Sequence, residues 1–126
     1  MTKQPSKSRK NAYTAPKHKK SKAIAGHLNK KLREEIGRRS VSLRKGDTVK
    51  INRGSFKGKT GKITNIDREK GKVFVEKVIR KKSDGTEFEV AIDPSKVIVI
   101  EIDKSDRKRI KKKSDKKWVQ KEKKRN

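Results

Sequence analysis

Residues 46–67, GDTVKINRGSFKGKTGKITNID, place Gly54, Gly58 and Gly61 among the cations Arg53, Lys57, Lys59 and Lys62. The chemistry this spacing suits is phosphate binding. Glycine admits positive φ and lets backbone approach a ligand, exposed N–H groups attract anions, and Lys and Arg supply the charge. A structural reading stands beside it, in which the glycines only make hairpin turns and bulges. The two are compatible, because a loop shaped by glycine is also where Lys can reach a nucleic-acid backbone. The stretch does not read as a nucleotide-phosphate loop: three residues, not four, separate Gly54 from Gly58 ahead of the Lys59-Thr60 pair, and no helical pattern follows.

Other reactive types are sparse. His18 and His27 are the only histidines and there is no cysteine, which removes disulfides, thiolate chemistry and cysteine-ligated zinc. His27 suits a cap or an RNA contact better than a metal site. Glu34-Glu35 and Asp67/Glu69 flank Arg and Lys and read as helix or turn partners. The expectation is no enzyme, no catalytic residue, no metal, no cofactor and no small-molecule substrate.

The charge balance points to a polyanion. Among 126 residues, 41 are Lys or Arg and 15 Asp or Glu, a formal net charge of +26, while apolar residues make up only 27%. Segments 1–40 and 104–126 carry net charges of +11 and +10, and the middle segment only +5. Such a chain is stabilised by nucleic acid. An anionic membrane would instead favour a basic helix with a Trp, Phe and Leu face, which only Trp118 and Val119 approach. No apolar run is long enough to span a bilayer, the N-terminus lacks the apolar core of a secretory signal, and the absence of Cys fits a chain that stays inside the cell.

Four segments must position these residues. Residues 1–20 read as a basic extended arm because Pro5 and Pro16 discourage helix. The arm offers Arg9, Lys10, Lys19 and Lys20 to RNA, with Tyr13 either stacked on a base or solvated. Residues 21–40 read as an amphipathic helix and linker. Ile24, Leu28, Leu32 and Ile36 form a stripe at a spacing of four, Ser21 can cap the start, Gly37 can end the helix, and the linker adds Arg38. Residues 41–103 alternate in strand fashion through Val41/Leu43, Val49/Ile51, Ile63 with Ile66, Val73/Val75, Phe88/Val90/Ile92 and Val97–Ile102, with turn signals between. That indicates an all-β fold, a small barrel or sandwich. Residues 104–126 read as a basic tail, disordered when free, with Ile110, Trp118 and Val119 as its only apolar side chains. Removing either basic end should leave the barrel folded.

The glycine loop resembles the KOW motif, and the resemblance extends beyond it. Arg39-Ser40, Leu43-Arg44, Asp47, Val49, Arg53-Gly54, Lys59, Gly61-Lys62-Ile63 and Pro94-Ser95-Lys96-Val97 fall in the order found in a KOW-containing ribosomal protein family of the large subunit, number twenty-four in bacteria and twenty-six in eukaryotes. The match covers roughly residues 25–110. The N-terminal helix and long basic ends are similar to the archaeal and eukaryotic type, with Asp93 standing where that type usually has His. The resemblance implies a cytoplasmic location, an SH3-like barrel bound to large-subunit rRNA near its 5′ part, early participation in subunit assembly, and a place beside the peptide exit tunnel. Neighbouring large-subunit proteins, and factors at the exit tunnel, would be its partners. It implies RNA contact at Arg39, Ser40, Arg44, Arg53, Gly54, Lys57, Lys59, Lys62 and Lys96; the loop reading adds Gly58 and Gly61. Asp47 reads as structural.

Two other functions compete. One is a regulatory module of the kind found in transcription-elongation factors, which usually carry a second globular domain. The other is a nonspecific DNA-compacting protein, which would explain the charge but not the ordered glycines.

Overall fold

Alternation of buried and exposed side chains sets the strands. In the computed structural model, which describes residues 2–103, 105 and 109, the chain runs α1 (Pro5–Thr14), α2 (Lys17–Ala23), β1 (Ala25–Leu28), α3 (Lys30–Ile36), β2 (Ser40–Ser42), β3 (Thr48–Ile51), β4 (Thr60–Asp67), β5 (Lys72–Lys81), β6 (Glu87–Ile92), a 3₁₀ turn (Pro94–Lys96) and β7 (Val97–Glu101). The seven strands form one sheet in the order β2-β1-β7-β3-β4-β5-β6. All pairs are antiparallel except β1 with β7. The fold is of the expected class, small, all-β and SH3-like, with helix at its N-terminal side. Its ladder is not closed: β2 and β6 are the two ends.

One apolar cluster holds the sheet together. Val49 and Ile51 of β3, Val73, Val75 and Val78 of β5, and Val97 and Val99 of β7 are almost wholly buried, with Leu28 of β1 among them. Burying a Val or Leu side chain contributes about 1.5–3 kcal/mol. Val75 and Val78 are three apart, so simple alternation would put one of them outside. An irregularity in the β5–β6 register lies between Phe74 and Ile79, and Lys77 within it takes a left-handed φ of 63°. Between these two residues and their partners, β5 advances five residues while β6 advances two, and this odd excess returns Val78 to the core.

The apolar stripe of residues 24–36 is a strand followed by a helix, not one helix. A spacing of four is also a multiple of two, so Ile24 and Leu28 satisfy a strand as well as a helix. Gly26 decides between them. Glycine weakens a helix by about 1 kcal/mol relative to Ala. In β1 its bare backbone receives Leu43, whose Cδ2 would lie 2.8 Å from an added Cβ. The helix then starts at Asn29, whose side chain accepts from the Lys30 N–H, and ends at Gly37, which is left-handed with φ 67° and donates to the Arg33 carbonyl. The barrel boundary therefore lies before residue 41, since β1 pairs with both β2 and β7.

The N-terminal arm is helical, not extended. Pro5 occupies the first turn of α1 and Pro16 is the N-cap of α2. A proline there interrupts no hydrogen bond, because first-turn N–H groups have no intrahelical partner, and its fixed φ already suits a helix. The two prolines mark helix starts. Neither helix buries a residue.

Candidate nucleic-acid interface

The β3–β4 loop is held in shape by its own backbone. Ile51 ends β3 with its N–H donating to the Lys59 carbonyl at 2.9 Å, and the Gly58 N–H donates back to the Ile51 carbonyl at 2.8 Å. Between them the Lys57 N–H reaches the Gly54 carbonyl at 3.1 Å and the Lys59 N–H the Phe56 carbonyl at 3.2 Å. Gly54 and Gly58 have φ values of 104° and 89°, in the region where an L side chain is strained. Phe56 tucks against the core, and the Lys59 ammonium sits 5.1 Å from its ring centre. The side chains of Arg53, Lys57 and Lys59 are left exposed, as is Lys62 on β4.

Two details differ from the sequence reading. The N–H groups of Lys57, Gly58 and Lys59 are spent inside the loop, so Lys57 and Lys59 offer an anion their side-chain charge and not their amides. Gly61 has no positive φ. A Cβ there would lie 2.8 Å from the Glu76 carbonyl oxygen and 2.9 Å from a Val75 methyl. Glycine is required at that position because β4 and β5 approach closely.

A second cationic element joins this loop. The Asn52 N–H donates to the Lys96 carbonyl at 2.8 Å, which fixes the 3₁₀ turn beside the end of β3. Asp93 caps that turn: its Oδ1 accepts from the Ser95 N–H at 3.2 Å and the Ser95 hydroxyl at 2.9 Å, and its Oδ2 accepts from the Lys72 ammonium at 3.2 Å. The Ser95 amide, with the Ser95 hydroxyl and Lys72, holds the Asp93 carboxyl below its ordinary value, against the opposing effect of burial. Arg53, Gly54 and Lys96 thus line one cleft of about 200 Å³. The cleft also takes in Lys72 and Arg80 of β5, which sequence reasoning missed. Arg80 stands opposite Phe88 only because of the β5 irregularity.

The remaining candidates lie elsewhere. Thr48 pairs with Glu101 and Ile51 with Val97, so Arg44, just before β3, is at the opposite end of that strand from Arg53. Arg38, Arg39, Ser40 and Arg44 flank or begin β2. Beneath this group is a buried ion pair. Asp47, with no exposed surface, accepts from both terminal nitrogens of Arg109, from the Arg44 N–H at 2.9 Å and from the Asp103 N–H at 3.2 Å. The Arg109 Nε donates to the Ser42 carbonyl at 3.0 Å. Asp47 is structural, as expected, but its partner is an Arg assigned by charge to the tail. The boundary at residue 103 cuts through this pair, and nothing in a run of cations marks out the one that turns inward. Residues 110–126, with the expected tail and Trp118, lie outside the described residues.

Arg9 and Lys10 are exposed on α1, and Lys19 is exposed on α2. Lys20 is half-buried, its ammonium 5.9 Å from the Tyr13 ring centre, and shares with Arg68, Lys70 and Ser95 a second cleft of about 300 Å³. Tyr13 is 84% exposed. His27 lies on the outer face of β1.

The chain matches, over residues 2–116, the family that joins eukaryotic ribosomal proteins L26 to their archaeal L24 counterparts. A protein of Methanosphaera stadtmanae named large ribosomal subunit protein uL24 is 42% identical over 109 residues, covering 86% of this chain and 93% of the relative. Proteins of the same name are 42% identical over 109 residues in Haloarcula marismortui, covering 86% and 91%, and 40% identical over 98 residues in Korarchaeum cryptofilum, covering 78% and 75%.

Proposed function

Because the chain belongs to the family of eukaryotic L26 and archaeal L24 ribosomal proteins, we propose that it is a structural, non-enzymatic constituent of the large ribosomal subunit in the cytoplasm, and that it binds large-subunit rRNA. The observation that carries the RNA contact is the rigid β3–β4 loop, which presents Arg53, Lys57 and Lys59 outward beside Lys96. Side chains of this kind contact phosphates and fix the register of a folded RNA, while double-stranded RNA is read mostly by shape. The cations of α1 and α2, and Arg38, Arg39, Ser40 and Arg44 around β2, extend the contact to other faces of the molecule. On this reading the protein joins the subunit early, lies near the peptide exit tunnel and contacts neighbouring subunit proteins and exit-tunnel factors.

Sedimentation of a cell lysate tests the assignment. Comigration with large subunits that survives a moderate salt wash is the expected result. Recovery only at the top of the gradient would refute it. Depletion during growth should lead to incomplete large-subunit precursors; unchanged subunit assembly would remove the assembly role and leave RNA binding standing.

A further inference from the structure

We propose that the cleft between the β3–β4 loop and the β5–β6 sheet seats a single unstacked nucleotide, with its base on the apolar floor and its phosphate on the cationic rim. The inference rests on the RNA-binding reading and deepens it, from backbone contact to capture of one extruded base.

The cleft has two chemistries in register. Its apolar part is the half-buried Val90 and ring of Phe56, backed by the buried Ile51. The Lys59 ammonium lies 5.1 Å from the centre of that ring, and an unstacked base takes its place on the ring when this exposed, flexible side chain swings out to phosphate, because stacking accepts any base. Its rim is cationic, carrying Arg53, Arg80 and Lys96. None of these three makes a side-chain hydrogen bond or ion pair with a described residue. Lys72 is different, since Asp93 already holds it. The rim therefore offers cations without internal partners to an anion, and only a ligand that is flat and apolar at one end and anionic at the other satisfies both halves. A duplex cannot, because its bases are stacked inside and only phosphates reach the rim.

The cleft, about 200 Å³, has room for one base, with the sugar and phosphate at its open rim, and not for a run of strand. The loop's own hydrogen bonds hold the wall that carries Arg53 and Phe56, so the site is formed before RNA arrives. Its position at the end of β3 puts it beside the Arg53–Lys59 cations that the proposed function assigns to RNA backbone.

The test uses the full chain with two probes of equal phosphate number, a single-stranded RNA pentamer containing 4-thiouridine and a short RNA duplex. Phe56→Leu keeps an apolar side chain under the loop but removes the ring. It is expected to weaken pentamer binding roughly tenfold while changing duplex binding less than twofold. Arg80→Ala, at an exposed position on β5, is expected to lower the pentamer's salt slope by about 0.7. Photocrosslinks should map to the cleft wall. Equal loss for both probes, or crosslinks confined to α1 and α2, would overturn the nucleotide site. Those outcomes leave general RNA binding intact. Loss of preference for an rRNA fragment over heparin would instead overturn the RNA reading beneath it. Should Phe56→Leu fail to fold, Arg80→Ala together with the crosslinks in the unaltered chain decides.

Discussion

Asp93 and Gly61 each show a side chain, or the lack of one, serving the site indirectly. Asp93 is acidic in a cationic region, and its carboxylate is used within the protein, capping the 3₁₀ turn and holding Lys72. Its folded-state pKa lies below the ordinary 3.8, mainly through the Ser95 amide. A depressed carboxyl stabilises the fold in full at higher pH and loses that contribution as pH falls through its folded-state value. Asp93→Asn should therefore lower stability near neutrality and flatten the loss seen in acid below pH about 3.8, as read by circular dichroism across an acid titration. An unchanged acid limb would mean that the cap contributes nothing. Gly61 acts through sterics. The atom an added Cβ meets is the backbone oxygen of Glu76, which cannot rotate away, so Gly61→Val should cost about 1–3 kcal/mol in urea unfolding and misplace the loop that precedes it. RNA affinity should fall with it, and an equally stable variant would remove the close β4–β5 approach as the reason for glycine.

The C-terminal segment is tied to the sheet through Arg109. Asp47 is fully buried and takes four hydrogen bonds, two of them from that guanidinium. Removing one member of a buried pair leaves an uncompensated charge and typically costs about 3–5 kcal/mol. A chain ending at residue 103 should lose stability of that order, whereas one ending at residue 112 should unfold with the midpoint of the full chain. Matching midpoints for the two truncations would show that the pair is dispensable. The same elements show what a single sequence can reveal. β3 was legible from its alternation and β7 from its unbroken run of Val and Ile, and so was the loop between β3 and β4, because its glycines and cations are contiguous. What was hidden depends on contacts far along the chain. Ile24 and Leu28 fit two periods equally, and only the packing of Leu43 on Gly26 selects the strand. The inward turn of Arg109 and the facing of Arg80 into the cleft are set by partners more than twenty residues distant or by a bulge, and composition carries neither. The prolines of the arm were visible but misleading, since the residue that breaks a helix interior also opens one.

At the scale of the molecule, the cations of the described residues lie on several separate elements, and that division is measurable. The loop cations stand on a rigid hairpin, those near β2 lie at the other end of β3, and those of α1 and α2 sit on helices that bury nothing. Each phosphate neutralised contributes about 0.7–0.9 to the salt slope of binding, whichever face supplies the cation. Geometry, by contrast, contributes to discrimination only where cations are held in place. Changing Arg9, Lys10 and Lys19 together to Gln should lower the slope on a large-subunit rRNA fragment by about 2. It should leave the urea midpoint unchanged, and the preference for that fragment over heparin nearly so. Changing Arg53, Lys57 and Lys59 together should lower the slope by a similar amount and also erase most of the preference, because the ordered charges are then gone. Filter binding at four or five salt concentrations separates the two cases. If both triple variants lose slope and preference alike, the loop is only more positive charge, and recognition resides in the total and not in the hairpin.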